Sequence, residues 1–158
     1  MNIPDIRVGH GFDVHRWGDD ESKPLVIGGV EFPDAASLVG HSDSDVVTHA
    51  CIDAILTAAG QGDIGVMFAD TDPRWKGADS VNMLRRAAKK VRDAGWEPVN
   101  VDCTVIADVP RISPHREVME SRLSEALGAP VTVKGKTTEG LISYSEGIQA
   151  SAVALVRR

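Results

Sequence analysis

The sequence predicts an α/β fold: one α+β sandwich in which helices pack on a mixed β-sheet. Three observations carry this expectation. Short segments with two-residue alternation interleave with segments of helical period. They run in the order strand, hairpin, helix, helix, strand, helix, strand, strand. The 158 residues, 42% of them hydrophobic, suit one domain over 1–158 with a single core, and no repeat, charge run or linker interrupts them.

Each element has its own signal. Ile6 to Phe12 reads as a first strand. Pro24 to Phe32 holds two apolar runs around Gly28-Gly29, the pattern of a hairpin. The polar run Gly40 to Asp45 leads into a helix from about Asp45 to Ala59, with Ser42 or Ser44 as cap and Gly60 as stop. Val46, Val47, Ala50, Cys51, Ala54, Ile55 and Ala58 form its apolar stripe. Gly62 to Asp79 reads as a long loop, rich in Asp and Gly, of the kind that carries function. A second helix spans Ser80 to Ala94, with Val81, Leu84, Ala87, Ala88 and Val91 inward and Gly95 ending it. Val99 to Ala107 alternates as a strand, Ser113-Pro114 opens a third helix, and Gly128 closes it. Val131 to Thr137 and Gly147 to Arg157 complete the set.

Composition excludes several classes of function. The net charge of −6, from 17 basic and 23 acidic residues, lacks the basic footprint of a nucleic-acid binder. No apolar run approaches the roughly 20 residues of a membrane span. No basic segment leads into an apolar one near the start, so no secretory signal is read. Cys51 and Cys103 form neither a disulfide framework nor a thiolate metal site, and a reduced, cytoplasmic protein is expected.

Four constellations offer chemistry. Asp13-Val14-His15 places a carboxylate and an imidazole on one side of an extended segment, a pair suited to a divalent metal. His49 lies opposite the apolar stripe of the first helix, stacked with Asp45 and Asp53 at i, i+4 spacing. A carboxylate one turn away can orient a metal-binding imidazole. Together Asp13, His15 and His49 form a three-ligand set with one position open, the catalytic rather than structural pattern for zinc. His41-Ser42-Asp43 sits at the mouth of that helix, where backbone N–H groups favour phosphate, although plain capping explains Ser42 and Asp43 equally well. Lys134 to Glu139 gathers two cations, two hydroxyls and a carboxylate, which suits phosphate and magnesium or a polar strand end. It is not a Walker A loop, and Gly9-His10-Gly11 does not fit the dinucleotide fingerprint.

Taken together, VGHGFDVHR, HSDSDVVTHACIDA, GDIGVMFADTDPRWKGADS and KTTEGL resemble the 2-C-methyl-D-erythritol 2,4-cyclodiphosphate synthase family, in order and over nearly the whole chain. The resemblance implies a homotrimer of single α/β domains with active sites between subunits. It implies a cytidine diphosphate substrate, 4-diphosphocytidyl-2-C-methyl-D-erythritol 2-phosphate, closed to a cyclic diphosphate with release of CMP. Zinc would be held by Asp13, His15 and His49, and magnesium or manganese by Glu139. His41 and Thr137 take catalytic roles. Asp13, Val14, His15, His41 and Ser42 match substrate-contacting positions, as do Asp63, Ile64, Gly65, Phe68, Asp70 and Asp72. Ala107, Pro110, Arg111, Ile112 and Ser113 match the cytosine pocket, and Lys136, Thr137, Thr138 and Glu139 the phosphate-facing turn. Departures accompany the match. Ser44 replaces a usual glycine, Arg111 a common lysine, and Lys136 a common threonine. A shortened Leu141–Glu146 segment lacks an arginine expected near an axial channel that Phe12 and Glu146 would line. Weak binding of isoprenoid diphosphates follows as an expectation. A non-catalytic zinc-containing nucleotide-diphosphate-binding trimer and a metal-dependent phosphohydrolase use the same three ligands and stand as the other readings.

Overall fold

The structure is a computed structural model that describes residues 5–141 and 145–158. Its frame is a four-stranded sheet in the order β1-β6-β4-β5. β1 (Ile6–Arg16) pairs antiparallel with β6 (Gly147–Arg157) over its full length, from Ile6 opposite Arg157 to Arg16 opposite Gly147. β6 pairs antiparallel with β4 (Glu97–Ile106), and β4 runs parallel to the edge strand β5 (Val131–Lys136). The sheet is therefore mixed, as the sequence predicts. β1 runs four residues beyond the predicted Phe12, because the β6 ladder continues to Arg16 and takes Asp13-Val14-His15 into the sheet.

β2 (Leu25–Ile27) and β3 (Val30–Phe32) form the expected hairpin. Gly28 and Gly29 both adopt positive φ, 57° and 73°, which a two-residue turn of primed type requires. Helix α1 (Val46–Ala58) lies against β1 and β6 on one side and α3 (Ser80–Asp93) on another. The predicted stripe is buried, but so are Thr48, His49 and Ile52, so α1 is a central helix with almost no solvent face. Its cap is Asp45, not Ser42 or Ser44. The Asp45 carboxylate accepts from the backbone N–H groups of Thr48, Gly28 and Gly29 and from the Thr48 hydroxyl, tying the hairpin to the helix. Burial, reinforced by nearby Asp43, pushes the Asp45 carboxyl pKa up despite these donors.

The stretch predicted as loop contains a short helix α2 (Ile64–Met67) and a 3₁₀ turn at Pro73–Trp75. Asp63 and Asp72 cap these pieces by accepting from the Val66 and Arg74 N–H groups. A second 3₁₀ turn, Ser113–His115, precedes α4 (Arg116–Leu127), which ends at Gly128 with φ 74°. α1, α3 and α4 all pack on one side of the sheet. On the other side, Val8, Phe12, Val14 and Val153 remain exposed among polar side chains such as His10 and Ser151, with no covering layer in the single chain. No described helix is long and apolar enough to cross a membrane.

Candidate metal centre and cleft

Alternation along β1 decides what the site contains. Gly9, Gly11, Asp13 and His15 share the face toward the helices, and Val8, Phe12 and Val14 take the other. A Cβ on Gly9 would lie 2.1 Å from the Ala54 carbonyl oxygen, and one on Gly11 2.0 Å from that of Ala50. The two glycines thus let α1 settle directly on the strand backbone. That close approach carries His49 to Asp13: His49 Nδ1 stands 2.9 Å and His15 Nε2 3.1 Å from Asp13 Oδ2. One ligand atom from each of the three residues lies within 4.8 Å of the others, and no other group of three His, Cys, Asp or Glu among the described residues does this.

The surroundings orient each ring. His15 Nδ1 donates to the Val39 carbonyl at 2.6 Å, leaving Nε2 toward the centre. His49 Nε2 contacts Ser80 Oγ at 2.8 Å and Ser42 Oγ at 3.1 Å. Neither carboxylate stacked with it by spacing makes this contact: the Asp45 oxygens serve the α1 cap and the hairpin, and Asp53 accepts from the Ile64 N–H. Burial raises the Asp13 pKa, but hydrogen bonds and charge from His15 and His49 outweigh it and hold the group well below the usual carboxylate range. For His15, burial acts downward and Asp13 upward, with a net rise. One carboxylate oxygen and two imidazole nitrogens within reach of one another fit zinc or a neighbouring transition metal.

The centre opens into a cleft of about 470 Å³ lined by Asp13, His15, His41, Ser42, His49, Ile64, Gly65, Phe68 and Asp70, together with Gly40, Trp75 and Met83. Sequence reasoning missed the last three, although the Asp-Pro capping signal before Trp75 marks a local turn that could have placed it. Phe68 and Trp75 meet edge to face at 4.9 Å between ring centroids. His41 Nε2 lies 3.2 Å from the Asp72 carbonyl. Three expected contact residues do not present side chains to this cleft. Val14 points to the bare sheet face, Asp63 caps α2, and the Asp72 carboxylate is held by Arg74.

The remaining predicted residues lie elsewhere. Asp13 is opposite Ala150, which is opposite Val105, which is opposite Gly135. Ala107, Pro110, Arg111, Ile112, Ser113 and the Lys136–Glu139 turn therefore cluster at the same end of the sheet as Asp13 but at the other edge. Three strand spacings, about 14 Å, separate the edges. There, Asp108 accepts from the Thr138 N–H at 2.9 Å and hydroxyl at 2.7 Å, and these bonds hold its pKa below the usual range. The Thr137 hydroxyl donates to Glu139, whose φ of 52° turns the chain. Ile142, Ser143 and Tyr144, which fall within the shortened segment, lie outside the described residues.

Residues 6–157 match the model of the YgbB family, and the chain belongs to that family. A curated relative from Bordetella petrii, named 2-C-methyl-D-erythritol 2,4-cyclodiphosphate synthase, is 51% identical over 100% of this chain and 99% of its own. Among solved structures, the bifunctional IspDF of Campylobacter jejuni superposes with TM-score 0.89 and 38% identity over 98% of this chain and 43% of that one. A 2C-methyl-D-erythritol-2,4-cyclodiphosphate synthase in a CDP-bound form superposes with TM-score 0.85 and 37% identity, covering 95% and 99% of the two chains.

Proposed function

We propose that the chain converts 4-diphosphocytidyl-2-C-methyl-D-erythritol 2-phosphate to 2-C-methyl-D-erythritol 2,4-cyclodiphosphate and CMP. The observation that carries this reading is the convergence of Asp13, His15 and His49 at the head of a cleft, in a chain half identical to a relative named for that activity. An oxygen of the substrate's 2-phosphate attacks the β-phosphorus. The bond from the β-phosphorus to the oxygen bridging it to the α-phosphorus breaks, and CMP departs with that oxygen. The attacking group is already an anion, so no proton must be removed.

Asp13, His15 and His49 would hold zinc, and Glu139 magnesium or manganese. When bound, such cations offset phosphate charge and raise the electrophilicity of phosphorus. The chain's own groups position the reactants, which is most of what phosphoryl transfer needs. His41 and Ser42 offer a ring nitrogen and a hydroxyl to the erythritol phosphate. Ile64, Gly65 and Phe68 wall the sugar and exclude water. Thr137 offers a hydroxyl to the transferring phosphoryl group. Backbone groups of 107–113 take the cytosine.

The assembly belongs to the same proposal. One diphosphate cannot touch both sheet edges of one chain, whereas a neighbouring chain can bring its β5 edge to the β1 edge. A homotrimer of single-domain chains spanning 1–158 would do this and cover the bare face of Val8, Phe12, Val14 and Val153. A cytoplasmic location fits the two buried free thiols. Incubation of the purified protein with the cytidylyl substrate should release CMP with the cyclic diphosphate. A linear diphosphate would identify a phosphohydrolase, and binding without turnover a non-catalytic trimer.

A further inference from the structure

The two ring nitrogens of His49 face different worlds, and the far one is specified in detail. Ser80 Oγ, 2.8 Å from His49 Nε2, carries one proton. Its acceptor is the Asp43 carboxylate: Oδ1 takes the hydroxyl proton while Oδ2 takes the Ser80 backbone N–H at 2.9 Å. The Met83 sulfur, 3.9 Å from Ser80 Oγ, is a much weaker acceptor. With its proton committed to Asp43, Ser80 can only accept from His49. Nε2 is then a protonated nitrogen, and Nδ1, 2.9 Å from Asp13 Oδ2, is the nitrogen left for a cation to take. Ser80 is fully buried and His49 only 7% exposed, so water does not compete for these positions.

We propose that Asp43 and Ser80 act as a positioning pair that fixes the His49 tautomer and thereby sets the affinity of the centre for a divalent cation. The proposal rests on the reading of Asp13, His15 and His49 as a metal centre. Partners behind a metal-binding histidine typically govern affinity by 10–100-fold. The pair also joins elements that move separately in the unfolded chain. Ser80 is the first residue of α3, and Asp43 belongs to the loop bearing His41 and Ser42. That loop is fastened to the segment before α3 by Gly77 N–H to the His41 carbonyl and Asp43 N–H to the Ala78 carbonyl. The sequence displays none of this, since Ser80 reads simply as a helix start and Asp43 as a capping residue.

Two measurements test the proposal. In zinc-loaded protein labelled with ¹⁵N in its histidines, His49 should carry its proton on Nε2 and bind through Nδ1. A zinc-loaded ring that carries its proton on Nδ1 would overturn the proposal without any variant. Zinc affinity, measured by competition with a chromophoric chelator, should fall 10–100-fold in Ser80→Ala, with the His49 Nε2 resonance shifting as its acceptor is lost. Asp43→Ala should act in the same direction, because it frees the Ser80 hydroxyl to donate to Nε2. The double variant should lose no more affinity than Asp43→Ala alone. Additive losses, or affinity within twofold of the parent and an unchanged ring in Ser80→Ala, would overturn the proposal. A failure of the metal-centre reading looks different: zinc would then bind His49→Ala as well as it binds the parent.

Discussion

Replacement of Gly11 by alanine should damage the metal centre without touching any of its ligands. The new Cβ would fall 2.0 Å from the Ala50 carbonyl oxygen and 2.7 Å from the Ala54 nitrogen, both backbone atoms of α1 that no side-chain rotation can clear. A carbon–oxygen contact relaxes at about 3.3 Å, so strand and helix must part by about 1.3 Å. His49 adjoins Ala50 on the helix and Asp13 lies two residues from Gly11 on the same strand face, so the 2.9 Å separation of Asp13 and His49 should open by a similar amount. Overpacking of this kind costs about 1–3 kcal/mol in stability, and a misplacement near 1 Å can cost about 10²-fold in rate. Urea unfolding, zinc competition and CMP release measured on one preparation would report all three effects. Wild-type stability together with wild-type zinc affinity in Gly11→Ala would refute the close-packing argument.

Other consequences are equally direct. His49→Ala should retain the far-UV spectrum while zinc occupancy by elemental analysis collapses; full retention would reject the ligand assignment. Glu139→Gln should lose activity that excess magnesium partly restores, and a basic limb of the pH–rate profile that vanishes in this variant would instead point to proton transfer. Sedimentation should show a trimer at assay concentrations, and a fully active 16.9 kDa species would end the composite-site reading. Lys23 Nζ donates to the Leu38 and Gly40 carbonyls at 3.2 Å each and to Ser44 Oγ at 2.7 Å. Lys23→Met should therefore lower stability by about 1–3 kcal/mol. Because Ser44 sits at φ 62°, adding Ser44→Gly should return part of that loss, about 1 kcal/mol, in urea titrations.

The secondary structure was legible where local chemistry dictates it. Paired glycines give the hairpin, stripes give α1 and α3, and Gly128 gives the end of α4. The Asp-x-His alternation reveals that Asp13 and His15 share a face, and that much needs no tertiary information. The phase of His49 sets it opposite the apolar stripe, but its burial is not visible in that phase. Helical periodicity assumes one wet side, and α1 keeps little more than Asp53 and Thr57 because α3 and the 41–45 loop cover it. For the same reason Asp45 looked like a partner for His49 when its oxygens belong to the cap. Gly9 and Gly11 were visible only as residues failing a nucleotide motif, since their role depends on what approaches them. The separation of Asp13 from Glu139 depends on β6 inserting between β1 and β4, a long-range pairing that no window of sequence contains.

That separation has a genetic consequence. If the β1 edge of one chain meets the β5 edge of the next around a ring, each working centre draws on two different polypeptides. A His49→Ala chain and a Glu139→Gln chain would each be inactive alone. Mixed by refolding or co-expression, they would form rings in which one junction joins an intact Asp13-His15-His49 set to an intact Thr137–Glu139 turn. Two broken genes would then restore activity to each other. A site contained in one chain could never do so.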